Sequence, residues 1–273
     1  VILLLKLAWR SLWRNSRRSV IAILAVFFAT FLTIAMRGLQ LGTYEHNIIS
    51  SIEMFTGYLQ VQNREFRDNE SLSNSIVLTD SLKQALERTE GIMAFAPRIY
   101  TGGLIGRDKG NSQGCSIFGI DPVQEKKVSK IAERVKEGRF LNKDSVYNVV
   151  VGYKVLDNIG AKIGDEVVVL SSGYDGSMGN LKFRIVGTSK TGSPEMDGMM
   201  VMMHIEAARE MLAMEGRASV LAVKIAGIEQ LNSIKSSLRQ SVKDSSLAVL
   251  DWEELMPEMK QSIDMDNISG IIS

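Results

Sequence analysis

The stretch from Val20 to Met36, VIAILAVFFATFLTIAM, carries no charge and only two hydroxyl side chains, Thr30 and Thr33. A run of this length is at the short end for a membrane-spanning helix. The continuation GLQLG is mild enough to extend it, and Ser19 to Leu41 would reach across roughly 30 Å at about 1.5 Å per residue. A cleaved signal peptide has a shorter apolar core followed by a small-x-small site. Here MRGLQLGTYEHN follows, without such a site and without a cysteine for lipid attachment. The run therefore reads as an anchor that stays.

The residues before it agree. VILLLKLAWRSLWRNSRRS holds Lys6, Arg10, Arg14, Arg17 and Arg18 and no acid, so by the positive-inside rule this end stays in the cytoplasm. At helical period Leu5, Trp9, Leu12 and Trp13 share one face, with Lys6, Arg10, Arg14 and Arg17 on the other. Two tryptophans on the apolar face suit a helix lying in the headgroup layer. That helix is either a plain basic anchor or one placed to meet a cytoplasmic partner.

Charge divides the molecule in the same place. The chain has 32 Lys+Arg and 31 Asp+Glu. Six of the basic residues and none of the acids fall in residues 1–37, which leaves 26 basic against 31 acidic residues beyond. This is a membrane pattern, not a nucleic-acid one. The single cysteine, Cys115, has no internal partner, so the part beyond the membrane must fold on its core alone. The chain begins at Val1 and ends DMDNISGIIS, which reads as the entry into a second apolar segment. The expectation is a fragment, with more membrane helices after Ser273.

Between these ends the pattern is mixed α/β. GYLQVQ, CSIFGI, YNVVVG, DEVVVL, LKFRIVG, MMVMM, SVLAVKI and LAVL read as strands, from alternation or β-branched content. Helices are expected at TDSLKQALERTEGI, capped by Thr79 or Asp80 and stopped by Gly91, and at YKVLDNI before Gly160. HIEAAREMLA and IEQLNSIKSSLRQSV complete the helices, the latter with Ile228, Leu231, Ile234, Leu238 and Val242 at helical spacing. EGRFL reads as a turn, and LSSGYDGSMGN as the connection of a β-hairpin. The fold class is an α+β extracytoplasmic domain, an α/β frame with an inserted β-rich subdomain at about 112–198, on a transmembrane helix.

Motifs for chemistry are absent. No G-x-x-x-x-G-K-[ST] occurs, and GRDKGNS and GAKIGDE lack its spacing. Two histidines, His46 and His204, and one cysteine make no zinc set. There is no G-x-S-x-G. Glu195 and Asp197 in PEMDG are carboxylates that could do acid–base work, but in a Pro/Gly loop they read as solvated. YDGSMGN lacks the alternating acids of a calcium loop. Met196, Met199, Met200, Met202 and Met203 form either a strand's core packing or an adaptable apolar face.

With the residues read, LKLAWRSLWRNSRRSVIAIL resembles the entry sequence of the permease subunits of MacB-like macrolide-exporter and LolC/LolE-like lipoprotein-releasing ABC transporters. Arg14-Asn15 and Arg17-Arg18-Ser19 match the second half of that family's opening pattern, while Arg10-Ser11-Leu12 stands where Arg-Asn-Leu is usual. FGIDP, EGRFL, VVVG, IGAKIGDEVVV, FRIVGT and PEMDGMMVMMHIEAAREML follow in the family's order. The resemblance runs from about residue 4 to the end. It implies a cytoplasmic amphipathic basic helix over 1–18, transmembrane helix 1 over 19–41, a periplasmic MacB-like domain over 42–262 and the start of transmembrane helix 2 over 263–273.

The resemblance also implies a dimerising permease of the bacterial inner membrane, with four spanning helices and a second copy or related permease as its pair. A separate cytoplasmic ABC ATPase subunit would hydrolyse the ATP, and this chain would bind no cofactor and no metal. Motion of the periplasmic domain would be driven by mechanical transmission. In the lipoprotein-releasing branch, lipoproteins pass to a periplasmic carrier that a hairpin of the outer domain contacts. The matching segment here, Ser171 to Asn180, is short and has no proline. Arg10, Arg14, Arg17 and Arg18 are expected to set the first helix against the ATPase subunit, and Tyr174 and Met178 to contact a periplasmic partner. Export of macrolides or peptides, a cell-division-type permease, and a membrane-anchored sensor or enzyme are the alternatives.

Overall fold

The computed structural model describes residues 6, 9–10, 14–107 and 111–272. The chain divides into two units, residues 50–260 and the segments on either side of them. In the flanking unit, helix α1 (Ser16–Ser51) runs 36 residues, about 54 Å at 1.5 Å per residue. It opens where the Asn15 carbonyl accepts the N–H groups of Arg18 and Ser19. The large apolar side chains of the run stay exposed, from Leu24 at 48% to Ile34 at 68%. An amphipathic soluble helix would bury one face; this one is apolar all round and buries none. Thr30 Oγ1 donates to the Val26 carbonyl and Thr33 Oγ1 to the Ala29 carbonyl, both at 2.9 Å. Neither hydroxyl is left as an unpaired donor, as a lipid environment requires. The stretch Ser16–Tyr44 is long and apolar enough to cross a membrane.

Residues 50–260 begin with a π-helical turn, Ile52–Thr56. The Gly57 N–H returns to the Ile52 carbonyl at 2.9 Å. Gly57 takes φ +73°, a conformation open to glycine at little cost. The strands follow as β1 (Leu59–Asn63), β2 (Ile76–Val77), β3 (Ile92–Gly106), β4 (Ser112–Ile120), β5 (Val135–Gly138), β6 (Asn148–Gly152), β7 (Glu166–Ser172), β8 (Met178–Ser189), β9 (Met200–His204), β10 (Arg217–Ala218), β11 (Val220–Ile225) and β12 (Leu247–Asp251). The helices are α2 (Asp80–Arg88), α3 (Pro122–Val128), α4 (Tyr153–Ile159), α5 (Met196–Met199), α6 (Ile205–Leu212), α7 (Leu231–Ser241), α8 (Trp252–Leu255) and α9 (Pro257–Ile272).

Ten strands form one sheet, in the order β12-β1-β11-β3-β4-β9-β6-β8-β5 with β7 joining β8 to β3. The last pairing closes a ring: β3-β4-β9-β6-β8-β7 and back to β3. The result is an open frame sheet, β12-β1-β11-β3, continuous with a six-stranded barrel that shares β3. Closure removes the barrel's exposed edges. Side chains alternate along each barrel strand. Ile99, Ile105, Ile117, Val149, Val151, Val167, Val169, Phe183, Ile185, Val201 and Met203 belong to one buried cluster, with α4 and α6 packed against it. In the frame, Leu82 and Leu86 of α2 and Leu231, Ile234 and Leu238 of α7 cover Leu59, Val61, Leu221 and Val223.

Three local readings change. β3 is the longest strand, although Pro97, Gly102 and Gly103 break its pattern. Pro97 lies one residue outside the β3–β4 ladder, which starts at Arg98↔Ile120, so the missing N–H does not interrupt that ladder. EGRFL is not simply a turn: its Glu137 and Gly138 pair with Thr188 and Gly187 of β8. The methionine run is core, since Met200 and Met202 are buried against Ile120, Leu141 and Val150, while Met203 faces the barrel interior. The adaptable-surface alternative for these side chains falls. Of the helical set after β11, Ile228 stays 40% exposed in a 3-10 turn ahead of α7.

Where β3 passes from frame to barrel, a buried ion pair fixes it. Arg98 donates Nε to Glu125 Oε2 at 3.0 Å, Nη2 to Oε1 at 2.6 Å and Nη1 to the Tyr100 hydroxyl at 3.0 Å. Ser129 Oγ donates to Glu125 Oε1 at 2.5 Å. Burial works against the Arg98 charge, but Glu125 and Tyr100 outweigh it and raise its pKa. Glu125→Ala strands a guanidinium in the core and is expected to cost about 3–5 kcal/mol. Replacing both partners by apolar residues, Arg98→Met with Glu125→Leu, costs much less. Chemical denaturation of the two variants beside the parent measures the difference.

A second network joins α7 to the end of β12. Lys235 Nζ donates to Asp251 Oδ2 and Glu254 Oε2, both at 2.5 Å, and Asp251 with Glu254 forms a capping box on α8. Burial opposes ionisation of both carboxyls, yet hydrogen bonds from Lys235 and from backbone N–H groups hold them below the usual range. Carboxyls with depressed folded pKa values contribute stability that is complete above about pH 5 and is lost as pH falls through those values. Thermal midpoints followed from neutral to acid pH are expected to drop in the parent. In Lys235→Met, which leaves the buried Asp251 charge without its cation, the acid drop shrinks or reverses.

Candidate partner surfaces

The four arginines expected to meet a partner lie at the start of the chain. Arg10 and Arg14 are helical and exposed, and Asn15 forms a turn before α1. Leu5, Leu12 and Trp13 of the expected apolar face lie outside the described residues. Arg17 and Arg18 stand exposed in the first turn of α1, which holds no acid. Two cations at a helix N-terminus oppose the helix dipole, so helix stability does not explain them.

The hairpin joins β7 and β8, with Ser172 opposite Met178. Its turn is built locally: the Gly173 N–H bonds to the Ser177 carbonyl at 2.8 Å, and Gly176 takes φ +80°. The Ser177 hydroxyl and N–H both donate to Asp175 Oδ1, which holds that carboxyl below the ordinary range. The turn is folded onto the body of the domain. The Tyr174 N–H bonds to the Leu212 carbonyl at 2.7 Å, and a Cβ at Gly179 would lie 1.8 Å from the Met211 carbonyl oxygen. Tyr174's ring lies under the Arg217 guanidinium at 4.4 Å, and Arg217 is itself tied to Ser75. Met178 is 69% exposed and Tyr174 42%. Sequence spacing gave no sign of the Tyr174–Arg217 stack, because the two residues are 43 positions apart and meet only through the fold.

The other polar candidates have internal roles. Asp197 is buried and accepts the Thr191 N–H at 2.7 Å and its hydroxyl at 2.9 Å, while Glu195 is exposed, so the two are no acid–base pair. His204 caps α6, its Nδ1 accepting the Glu206 N–H at 3.2 Å, and burial lowers its pKa. Burial pushes the Cys115 thiol up to about 12, which leaves it inert. Among the described residues no group of three metal-ligating side chains comes together.

The family model of the MacB-like periplasmic core domain matches residues 19–241. The chain is 27% identical over 180 residues to the lipoprotein-releasing system transmembrane protein LolC of Neisseria meningitidis, covering 63% of this chain and 43% of that protein. It is 27% identical over 188 residues to LolC of Xylella fastidiosa, covering 66% and 45%. The chain thus spans less than half the length of these relatives. Among solved structures it is similar to the periplasmic region of MacB from Actinobacillus actinomycetemcomitans, with a TM-score of 0.52 and 17% identity over 80% of this chain and 98% of that one. It is similar also to the extracellular domain of the transporter YknZ from Gram-positive bacteria, with a TM-score of 0.50 and 10% identity over 71% and 99%. At these identities the two structures speak for the fold alone.

The hairpin's two exposed side chains differ in what they hold. Tyr174→Ser removes a cation–π stack and is expected to lower stability by about 0.5–1 kcal/mol. Met178→Ser touches little and is expected to stay within about 0.5 kcal/mol of the parent. Denaturation curves of the two single variants separate them. A change in partner capture by Met178→Ser can then be read without a stability correction.

Proposed function

The chain belongs to the MacB-like periplasmic core domain family, and on that premise we propose that it is a permease subunit of an ABC transporter that releases lipoproteins from the inner membrane. The observation that carries this reading is the alignment with LolC, the transmembrane protein of a lipoprotein-releasing system. The exposed apolar length of α1 supports a membrane span. The basic residues at Lys6, Arg10, Arg14, Arg17 and Arg18 support a cytoplasmic N-terminus. Residues 50–260 are then the periplasmic domain.

In this reading ATP is hydrolysed by a separate cytoplasmic subunit, and the chain itself has no catalytic role. A second copy or a related permease completes the transporter. Arg10, Arg14, Arg17 and Arg18 hold the N-terminal segment against the cytoplasmic face, where the ATPase subunit docks. Tyr174 and Met178 offer a surface to a periplasmic lipoprotein carrier, with Met178 as the freer of the two.

Purification of the full-length protein from detergent-solubilised membranes tests the assignment. A co-purifying ATPase with lipoproteins or a periplasmic lipoprotein carrier is the expected result. An ATPase accompanied by an adaptor and an outer-membrane channel would move the reading to export. No ATPase would remove the transporter. Arg17→Glu with Arg18→Glu is expected to lower either the inserted fraction, read by reagent accessibility from each side, or the ATPase activity recovered with the complex. Unchanged topology and activity would withdraw the role given to these arginines.

A further inference from the structure

The first half of β3 is paired along one side only. Ile92 to Arg98 run beside β11, while the ladder with β4 begins at Arg98. Pro97 has no N–H, so its pairing with Leu221 is of the wide kind, in which the two residues exchange no hydrogen bonds. Alternation makes Phe95↔Val223 the next wide pair. The Phe95 N–H and carbonyl therefore point away from β11, to the side that β4 does not reach. Neither has a hydrogen-bond partner among the described residues. The edge strand β12 is treated differently. Its Val249 carbonyl accepts Arg239 Nε and Nη2, and its Asp251 N–H donates to Glu254 Oε2. Side chains thus cover one edge of the frame sheet and leave the other open.

A cleft of about 710 Å3 lies along this open stretch. Phe95 packs against the cluster that holds Leu82 and Leu86 of α2, and Ala94 and Ala96 pack with Val128 of α3. Neighbours along a strand face opposite ways, so α2 and α3 stand on opposite faces of β3. The cleft is lined by Leu86 of α2, Ile205 of α6, Gln124 and Lys127 of α3, and by Met93 and Phe95 themselves. It therefore reaches both faces across the edge. Met93 is 68% exposed and Phe95 half-buried, which gives the cleft apolar contact area. Most of its charged groups are engaged. Arg209 pairs with Glu206 at 2.8 Å, Lys83 lies 3.8 Å from Asp80, and Asp121 accepts the Val123 and Gln124 N–H groups. Glu87 and Lys127, which remain, are opposite in sign. This lining selects no charged ligand. An unpaired main-chain donor and acceptor set between two walls selects another main chain.

We propose that the open edge of β3 takes an extended, uncharged segment of a partner protein as an added strand. The segment exchanges both main-chain hydrogen bonds with Phe95 and sets an apolar side chain against Met93. Pro97 at one end and the irregular register at Lys224 and Ile225 at the other keep the added strand short. The site lies wholly within residues 50–260 and is independent of the transporter assignment.

The full chain in phosphatidylcholine nanodiscs is mixed with a hexapeptide of alternating threonine and valine with blocked ends, and separately with the same peptide N-methylated throughout. Amide hydrogen exchange is read by mass, with fragmentation that resolves residues 92–97. Exchange at the Phe95 amide is expected to slow several-fold with the first peptide and to stay unchanged with the second, which has no N–H to offer. Peptides with lysine or aspartate in place of threonine are expected to protect it less. Phe95→Pro removes the donor at a position that gives β11 no hydrogen bond, and is expected to abolish binding of the labelled first peptide, read by fluorescence anisotropy. Where the thermal midpoint shows that this variant does not fold, the comparison of the two peptides on the parent decides alone. Equal slowing by both peptides overturns the proposal, as does slowing at β12 without slowing at Phe95, stronger protection by a charged peptide, or no slowing at millimolar peptide. Absence of a co-purifying ATPase touches only the transporter assignment.

Discussion

Arg98 is the residue of β3 that its ladder with β11 and its ladder with β4 share. It pairs with Val220 on β11 and with Ile120 on β4, so β3 changes sheets around it. Its carbonyl accepts the Ser219 N–H, and its guanidinium is held by Glu125 on α3 and by Tyr100. A buried ion pair is a poor source of net stability compared with apolar packing. What this one provides is position: both carboxylate oxygens and the guanidinium fork are used in one geometry, and α3 is thereby fixed against β3. Lys130, two residues beyond α3, then binds Glu53. A continuous set of contacts therefore runs from the turn Ile52–Thr56 to the strand shared by frame and barrel.

Local signals made most elements legible. β6 and β7 are β-branched runs, Thr79 caps α2 by accepting the Leu82 N–H, and Gly160 ends α4 at φ +64°. The exposed apolar helix followed from seventeen residues without charge. β3 was not legible, because its glycines and Pro97 disturb the alternation that marks a strand. Barrel closure was not legible either. It rests on three pairs between β3 and β7, Leu104↔Leu170 through Gly106↔Val168, some 60 residues apart in sequence. The candidate surfaces divide in the same way. The arginines of the first segment could be read from charge and position. How far the hairpin is bound to its own domain could not, since that depends on Leu212, Met211 and Arg217 arriving from elsewhere.

The polar groups inside residues 50–260 bear on function by what they already do. Asp197 holds the Thr191 loop, His204 begins α6, and Ser171 Oγ bonds to the Gly102 carbonyl across β7 and β3. Of these partners the Thr191 N–H is buried, and left unpaired it would cost free energy. At the surface, Met178 of the hairpin stays exposed.

The way the chain enters and leaves the domain gives those surfaces a mechanical setting. Entry is through Ile52–Thr56 into β1, and exit is from β12 into α8. β1 and β12 are neighbours in antiparallel register, with Leu59 opposite Asp251. Both connections therefore emerge at the same end of one ladder at the sheet's edge. Each is clamped beside it, the entry by Glu53 to Lys130 and the exit by Asp251 and Glu254 to Lys235. Hydrogen bonds in an antiparallel pair lie across the strands, so a force applied to either connection along the strand loads the whole ladder in shear. Five paired residues then share that load at once. Entry and exit thus both join the frame sheet at β1 and β12, and β3 joins that sheet to the barrel that carries the hairpin.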